Sequence, residues 1–227
     1  MRSLASLVLA LLRLLLAAVK GALGPPTCAA CDARVRVRVV FCRACAETLV
    51  PPPEPKERSA ADPRPDDIVA FGAFEGALAI ALRRLKYQER PELAVPLGHL
   101  ARLAARRAGL TADLVVPVPL HPQRLAMRGY NQAALLAAEV AIELAAPLAA
   151  RALVRLRNTP QQARLDRDAR LDNVRSAFRA RRPRAIQGRR VVLVDDVATT
   201  GSTLTACTEA LLAAGAASVT ALVVARA

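Results

Sequence analysis

Apolar residues at 191–194, Val-Val-Leu-Val, form an unbroken run of the kind a strand needs when both faces of a parallel sheet are covered. Two carboxylates, Asp195 and Asp196, end the run. Residues 203–214 then carry Leu204, Leu211 and Leu212 at helical spacing, Gly215 is a helix stop, and a second β-branched run follows at 219–224. Strand, turn, helix and strand predict a right-handed βαβ unit, whose ligands sit beyond the carboxyl ends of the strands, where the loop at 195–203 falls. Upstream, the pattern predicts a strand over 68–74, helices over 78–86 and 93–107, and a short buried strand over 114–118. A proline-rich turn follows that strand, and Asn131 is placed to cap another helix. The fold class is α/β: a parallel sheet flanked by helices.

The loop after residue 194 reads Asp-Asp-Val-Ala-Thr-Thr-Gly-Ser-Thr. A helix N-terminus offers unpaired N–H groups and a partial positive charge, so the small residues from Ala198 to Ser202 let backbone donors close around a phosphate. Hydroxyls of Thr199, Thr200, Ser202 and Thr203 add donors. Adjacent carboxylates repel a phosphate at close range, so Asp195 and Asp196 are expected to face sugar hydroxyls or a magnesium ion shared with the substrate. The Gly-Lys-Ser/Thr ending of a Walker loop is missing. A plain helix cap is the bland alternative.

The formal net charge is +14, from 33 Lys and Arg against 19 Asp and Glu, which favours anionic partners. The excess is uneven: residues 151–190 hold thirteen Arg and three Asp. Such a tract is either a solvated surface or a clamp over a pyrophosphate or polynucleotide. With 54% hydrophobic residues in 227, one substantial core is expected. Within an N-terminal segment of residues 1–24, Leu4 to Val19 is nearly all apolar, but Arg13 interrupts it and the leading charge is only Arg2. A span of about 20 apolar residues does not tolerate that charge well. The segment therefore reads as a helix lying on the domain, an oligomer partner or a membrane surface, with no transmembrane span.

Cys28, Cys31, Cys42 and Cys45 make two C-x-x-C pairs ten residues apart. Four thiolates from two tight turns suit a structural zinc ion, and a module of residues 25–50 has too little core to fold without one. Val35, Val37 and Val39 alternate with arginines as a hairpin strand would. Disulfides or a redox dithiol are the rivals, and the lack of a credible export signal disfavours disulfides. Cys207 stands apart and reads as a small buried hydrophobe. Residues 51–67, crowded with proline and charge, read as a linker into a domain spanning 68–227.

The run 191–204 resembles the phosphoribosyl pyrophosphate loop of type I phosphoribosyltransferases. The order of further motifs narrows this: the apolar leader before C-x-x-C, LKY at 85–87, VPVPLHPQRLAMRGYNQ at 116–132 and NTPQQARLDRDARLDNVRSAF at 158–178 resemble the ComF (competence protein F, GntX-like) family. A local departure is Asp32, where a knuckle glycine is common. The resemblance implies a type I phosphoribosyltransferase fold with an N-terminal zinc knuckle. It implies that Asp195 and Asp196 bind the ribose hydroxyls and that Ala198, Thr199, Thr200, Gly201, Ser202 and Thr203 take the 5′-phosphate. His121, Arg124 and Arg128 are candidates for the pyrophosphate and its Mg2+, and Arg157, Arg164, Arg170 and Arg175 for a closing lid, with Asn173 as a polar contact. The implied function is phosphoribosyl transfer, displacing pyrophosphate from C1, in DNA uptake or nucleotide metabolism. Non-catalytic binding of single-stranded DNA or a nucleotide by a competence protein is the alternative. Partners expected on this basis are phosphoribosyl pyrophosphate, single-stranded DNA and competence or DNA-processing proteins, in the cytoplasm or at its membrane periphery. No general base is singled out, though His121 and Glu139 are available.

Overall fold

The computed structural model describes residues 25–54, 68–157, 177–181 and 183–227. The apolar leader 1–24, most of the linker at 51–67, and Arg164, Arg170, Asn173 and Arg175 lie outside the described residues.

The chain forms α1 (Arg43–Ala46), β1 (Ile68–Ala73), α2 (Gly76–Tyr87), a 3-10 turn (Pro91–Leu93), α3 (Ala94–Arg107) and β2 (Leu114–Pro117). Then follow α4 (Pro122–Arg128), α5 (Gln132–Glu143), β3 (Leu153–Arg155), β4 (Phe178–Ala180), α6 (Pro183–Ile186), β5 (Arg190–Ala198), α7 (Ser202–Ala213) and β6 (Ser218–Arg226). Four strands make one parallel sheet in the order β1-β6-β5-β2, and β3 pairs antiparallel with β4 as a separate ribbon. From residue 68 onward the strands and helices expected from the hydrophobic pattern are present, with ends shifted by up to two residues except at the acidic pair. The 3-10 turn, α4, α6 and the β3–β4 ribbon carry no comparable periodic signal.

Two apolar layers cover the sheet. Val192, Val194, Leu222 and Val224 pack with α2, α3 and α5, whereas Val191, Leu193, Ala221 and Val223 pack with α7 and the β3–β4 ribbon. This alternation is the period-2 signature of strands covered on both sides. Leu193 and Leu222 are fully buried, each contributing about 1.5–3 kcal/mol of transfer free energy. On α7, Leu204 and Leu211 are buried, but Leu212 is 46% exposed because one further 100° step carries it off the apolar stripe.

Two expectations are corrected. The strand does not stop before the acids: β5 runs to Ala198, since Asp195, Val197 and Ala198 keep register with Val223, Ala225 and Arg226 of β6. The loop is thus 199–201 rather than 195–203. Nor do Val35, Val37 and Val39 form a hairpin strand. Arg38 adopts φ 70°, Val37 is 76% exposed, and an isolated bridge between Thr27 and Arg34 is the pairing there. The spacer has no sheet edge to join, so alternation alone does not make it a strand.

Candidate functional site

Asp195 and Asp196 occupy successive positions near the carboxyl end of β5, one of the two inner strands, so their side chains leave opposite faces of the sheet. Both are buried, at 9% and 2% exposure. Asp195 accepts a hydrogen bond from the Asp196 N–H at 2.9 Å, and Asp196 accepts one from the Val197 N–H at 3.0 Å. Asp196 reaches the last turn of α2, where Lys86 Nζ lies 2.9 Å from its Oδ2. Burial opposes the charge on Lys86, but Asp196 and then Asp195 outweigh it and hold the ammonium above its ordinary pKa. Burial, reinforced by the neighbouring Asp196 charge, pushes the Asp195 carboxyl well above the usual carboxylate range; Lys86 offsets part of that. One lysine thus serves two buried carboxylates.

Asp195 lines an open cleft of about 260 Å³ whose other walls are Val197 to Leu204. Gly201, at φ 77°, makes the left-handed turn that starts α7, a conformation only glycine adopts without strain. Thr205 Oγ1 donates back to the Gly201 carbonyl at 3.2 Å, and the Thr200 and Ser202 hydroxyls lie 3.1 Å apart. Thr199 and Thr200 are exposed, and Ser202 and Thr203 partly so. The first N–H groups of α7 therefore open into a cleft of hydroxyls headed by one carboxylate. That composition matches a sugar hydroxyl at the acid and an anion at the helix end.

The turn after β2 frames the site from the neighbouring strand. His121 caps α4, its Nδ1 accepting from Gln123 N–H at 3.3 Å, and Asn131 caps α5 as expected. Asn131 Nδ2 also donates to the Val118 carbonyl at 3.0 Å, fastening the turn to the strand end. Arg128 donates to Gln132 and lies over the Tyr87 ring at 5.6 Å. Tyr130 is buried and donates its hydroxyl to the Leu85 carbonyl. Burial pushes its phenol up to about 12, so it is a neutral strut.

Two residues sequence reasoning did not single out belong here. Lys86 neutralises the acids; the LKY motif marked it without giving it a role. Arg155, on β3, has its guanidinium 5.2 Å from the Phe178 ring centroid. Burial, and then the charge of Arg124, hold its pKa below the ordinary arginine value, while Cys207 and Asp195 pull the other way. Arg124 and Asp195 thus both act on the Arg155 guanidinium. No spacing rule could show this, because the three residues lie on separate elements. Arg157 is exposed, and its carbonyl accepts from Arg155 Nε at 3.3 Å. Cys207 is fully buried, as expected for a small hydrophobe.

The four cysteine sulfurs lie within 4.8 Å of one another, with Cys31 Sγ and Cys42 Sγ 3.7 Å apart. Four Zn–S bonds of about 2.3 Å in a tetrahedron place sulfurs about 3.8 Å apart, so the cluster fits the ion. Its acidities fit as well. Burial raises the Cys28 thiol, but backbone N–H groups of Cys42, Cys31 and Ala30 outweigh that and bring it down to about 6. Cys45 is pushed up by burial and by its sulfur neighbours. Crowded sulfurs that cannot all ionise together are what a dication stabilises.

The family pattern described as "Phosphoribosyl transferase domain" matches residues 129–227. The chain is 35% identical over 198 residues to "DNA utilization protein YhgH" of Salmonella typhimurium, covering 85% of this chain and 86% of that protein. It is also 37% identical over 149 residues to "Competence protein F" of Haemophilus influenzae, covering 63% and 65%. The chain belongs to the ComF family. Among solved structures, that of "the allosteric regulatory enzyme of purine biosynthesis" aligns at TM-score 0.45 and 22% identity, covering 63% of this chain and 30% of that one. For this ComF chain, then, the type I phosphoribosyltransferase domain is a parallel sheet flanked by helices, with four clustered cysteines at its N-terminal side. No helix among the described residues is long and apolar enough to cross a membrane.

Proposed function

We propose that this ComF protein binds phosphoribosyl pyrophosphate at the carboxyl edge of β5 and transfers its phosphoribosyl group, displacing pyrophosphate from C1, in the service of DNA utilisation. One observation carries the reading: a buried carboxylate, Asp195, heads a cleft otherwise built from hydroxyls and the N-terminus of α7. Residues 198–203 take the 5′-phosphate and Asp195 the ribose hydroxyls, while Asp196 and Lys86 complete the charge balance beneath them. The donors are hard oxygens and Asp195 is under-neutralised, which fits a Mg2+ ion shared with the substrate. When bound, that ion would neutralise the pyrophosphate. Arg124, Arg128 and His121 on the β2 turn are assigned to the leaving pyrophosphate, whose growing negative charge they stabilise. Cys28, Cys31, Cys42 and Cys45 would hold a zinc ion with a purely structural role, closing the cysteine module. A cytoplasmic location, where thiols stay reduced, is part of this reading.

The relatives' names, which speak of DNA utilisation and competence, favour a second reading: binding of single-stranded DNA without turnover. Of the six aromatic side chains Tyr87 alone is exposed, so stacking contributes little and affinity would rest on arginines. Incubation with phosphoribosyl pyrophosphate, Mg2+ and a panel of bases, amines and oligonucleotides, following pyrophosphate release, separates the two. Release with one acceptor class supports transfer. Saturable binding without release from any acceptor supports the second reading.

A further inference from the structure

The cysteine module does not hang free of the sheet; it grips α2 at both ends. At the N-terminal end, Glu75 makes no side-chain cap, and the Ala77 N–H instead donates to Thr48 Oγ1 at 2.9 Å. Gly76, at φ +51°, lets the chain pass so close that an added Cβ would sit 2.3 Å from the Thr48 carbonyl oxygen. At the other end, Arg84 is buried, donates to the Ala29 carbonyl at 3.1 Å and pairs with Asp32. Arg90, just beyond the helix, donates to the same carboxylate at 3.2 and 3.3 Å. Ala29 and Asp32 belong to the turn that carries Cys28 and Cys31. Asp32 itself sits at φ 60°, a left-handed conformation that aspartate tolerates better than most non-glycine residues. Two residues past Arg84, Lys86 meets Asp196. Between them, the Leu85 carbonyl accepts from Tyr130. Three consecutive residues of one helical turn therefore face the cysteine turn, the β2–α5 connection and the acidic pair.

We propose that the cysteine module is a clamp that positions Lys86 against Asp196, so that metal occupancy at the four cysteines and ligand binding at the carboxyl edge of β5 are thermodynamically coupled. Arg84 and Asp32 are positioning residues in this scheme, acting through α2. The departure from a knuckle glycine at residue 32 thereby gains a purpose: a glycine would fit the backbone but could not hold Arg84 and Arg90. Coupling is reciprocal, so whatever factor metal adds to ligand affinity, ligand adds to metal affinity.

The inference rests on the phosphoribosyl pyrophosphate reading for one arm of its test and is independent of it for the other. Zinc release from the full, zinc-loaded protein is followed with a zinc-selective chromogenic chelator in excess Mg2+. With ligand absent, Lys86→Met is expected to release zinc about 5-fold faster than wild type, Lys86→Arg to stay close to wild type, and Arg84→Met to behave as Lys86→Met. Gly98→Ala, which strains the α3–α5 contact away from the module, controls for general loss of stability. Equal acceleration in Gly98→Ala and Lys86→Met overturns the coupling, as does wild-type release in Lys86→Met. In the second arm, phosphoribosyl pyrophosphate is expected to slow zinc release from wild type about 5-fold, and not from Lys86→Met. Binding seen by calorimetry with no effect on zinc release overturns the coupling and leaves the site assignment standing. Absence of binding, with the first arm as expected, overturns the ligand and leaves the clamp.

Discussion

Replacing Lys86 by methionine removes the cation shared by two buried carboxylates while keeping most of the side-chain volume. At 2.9 Å and an effective dielectric near 20, the Lys86–Asp196 attraction is about 6 kcal/mol before desolvation is charged against it. Breaking a buried pair from one side costs about 3–5 kcal/mol, because the orphaned charge stays buried. Lys86 is 23% exposed while Asp196 is 2% exposed, so the lower part of that range applies, about 3–4 kcal/mol at neutral pH. Urea denaturation at pH 7, with unchanged m-values, measures the deficit. Adding Asp196→Asn should recover most of the loss, the two residues being in contact. A deficit below about 0.5 kcal/mol, or one undiminished in the Asp196→Asn background, would be incompatible with Lys86 as the counter-ion.

Asp195→Asn should raise the urea midpoint at pH 7, because the buried carboxyl, with its pKa held well above 3.8, penalises the folded state wherever the unfolded chain has lost its proton. That gain should fade as pH drops through the folded pKa toward 3.8, and a midpoint lowered at pH 7 would contradict it. Gly98→Ala drives a Cβ to 2.5 Å from Glu139 Cγ at the α3–α5 contact and should cost about 1–3 kcal/mol by thermal or urea unfolding; a neutral effect would show that the helices separate freely. Chelation of the zinc-loaded protein should loosen residues 25–50 first, seen as proteolytic cleavage there before the sheet is cut; simultaneous loss of both would contradict this. If single-stranded DNA is a ligand, its affinity should fall steeply between 50 and 200 mM salt; salt-insensitive affinity would exclude an arginine-based mode.

Much of this architecture is legible in the residues. Apolar runs at 114–117, 191–194 and 219–224 mark strands covered on both faces, and C-x-x-C spacing marks the cysteine cluster, because each signal is local. What escapes is set by tertiary pairing. β5 continues through two aspartates since β6 offers backbone partners along its length, and no propensity scale foresees charged residues there. The apparent hairpin at 35–39 fails for the converse reason: it alternates correctly but has no neighbour. The split of Asp195 and Asp196 between two faces follows from strand geometry only once the strand is known to include them. Lys86 becomes their counter-ion because α2 ends beside β5, a juxtaposition of residues 110 positions apart.

Whether the cleft headed by Asp195 binds phosphoribosyl pyrophosphate is decided by calorimetric titration of its Mg2+ complex into wild type and into Asp195→Asn. Saturable binding to wild type is expected, with at least about 10-fold weaker binding to the variant, the cost of one lost charge-assisted hydrogen bond. Equal affinity in the two proteins, or no binding to wild type, would contradict it.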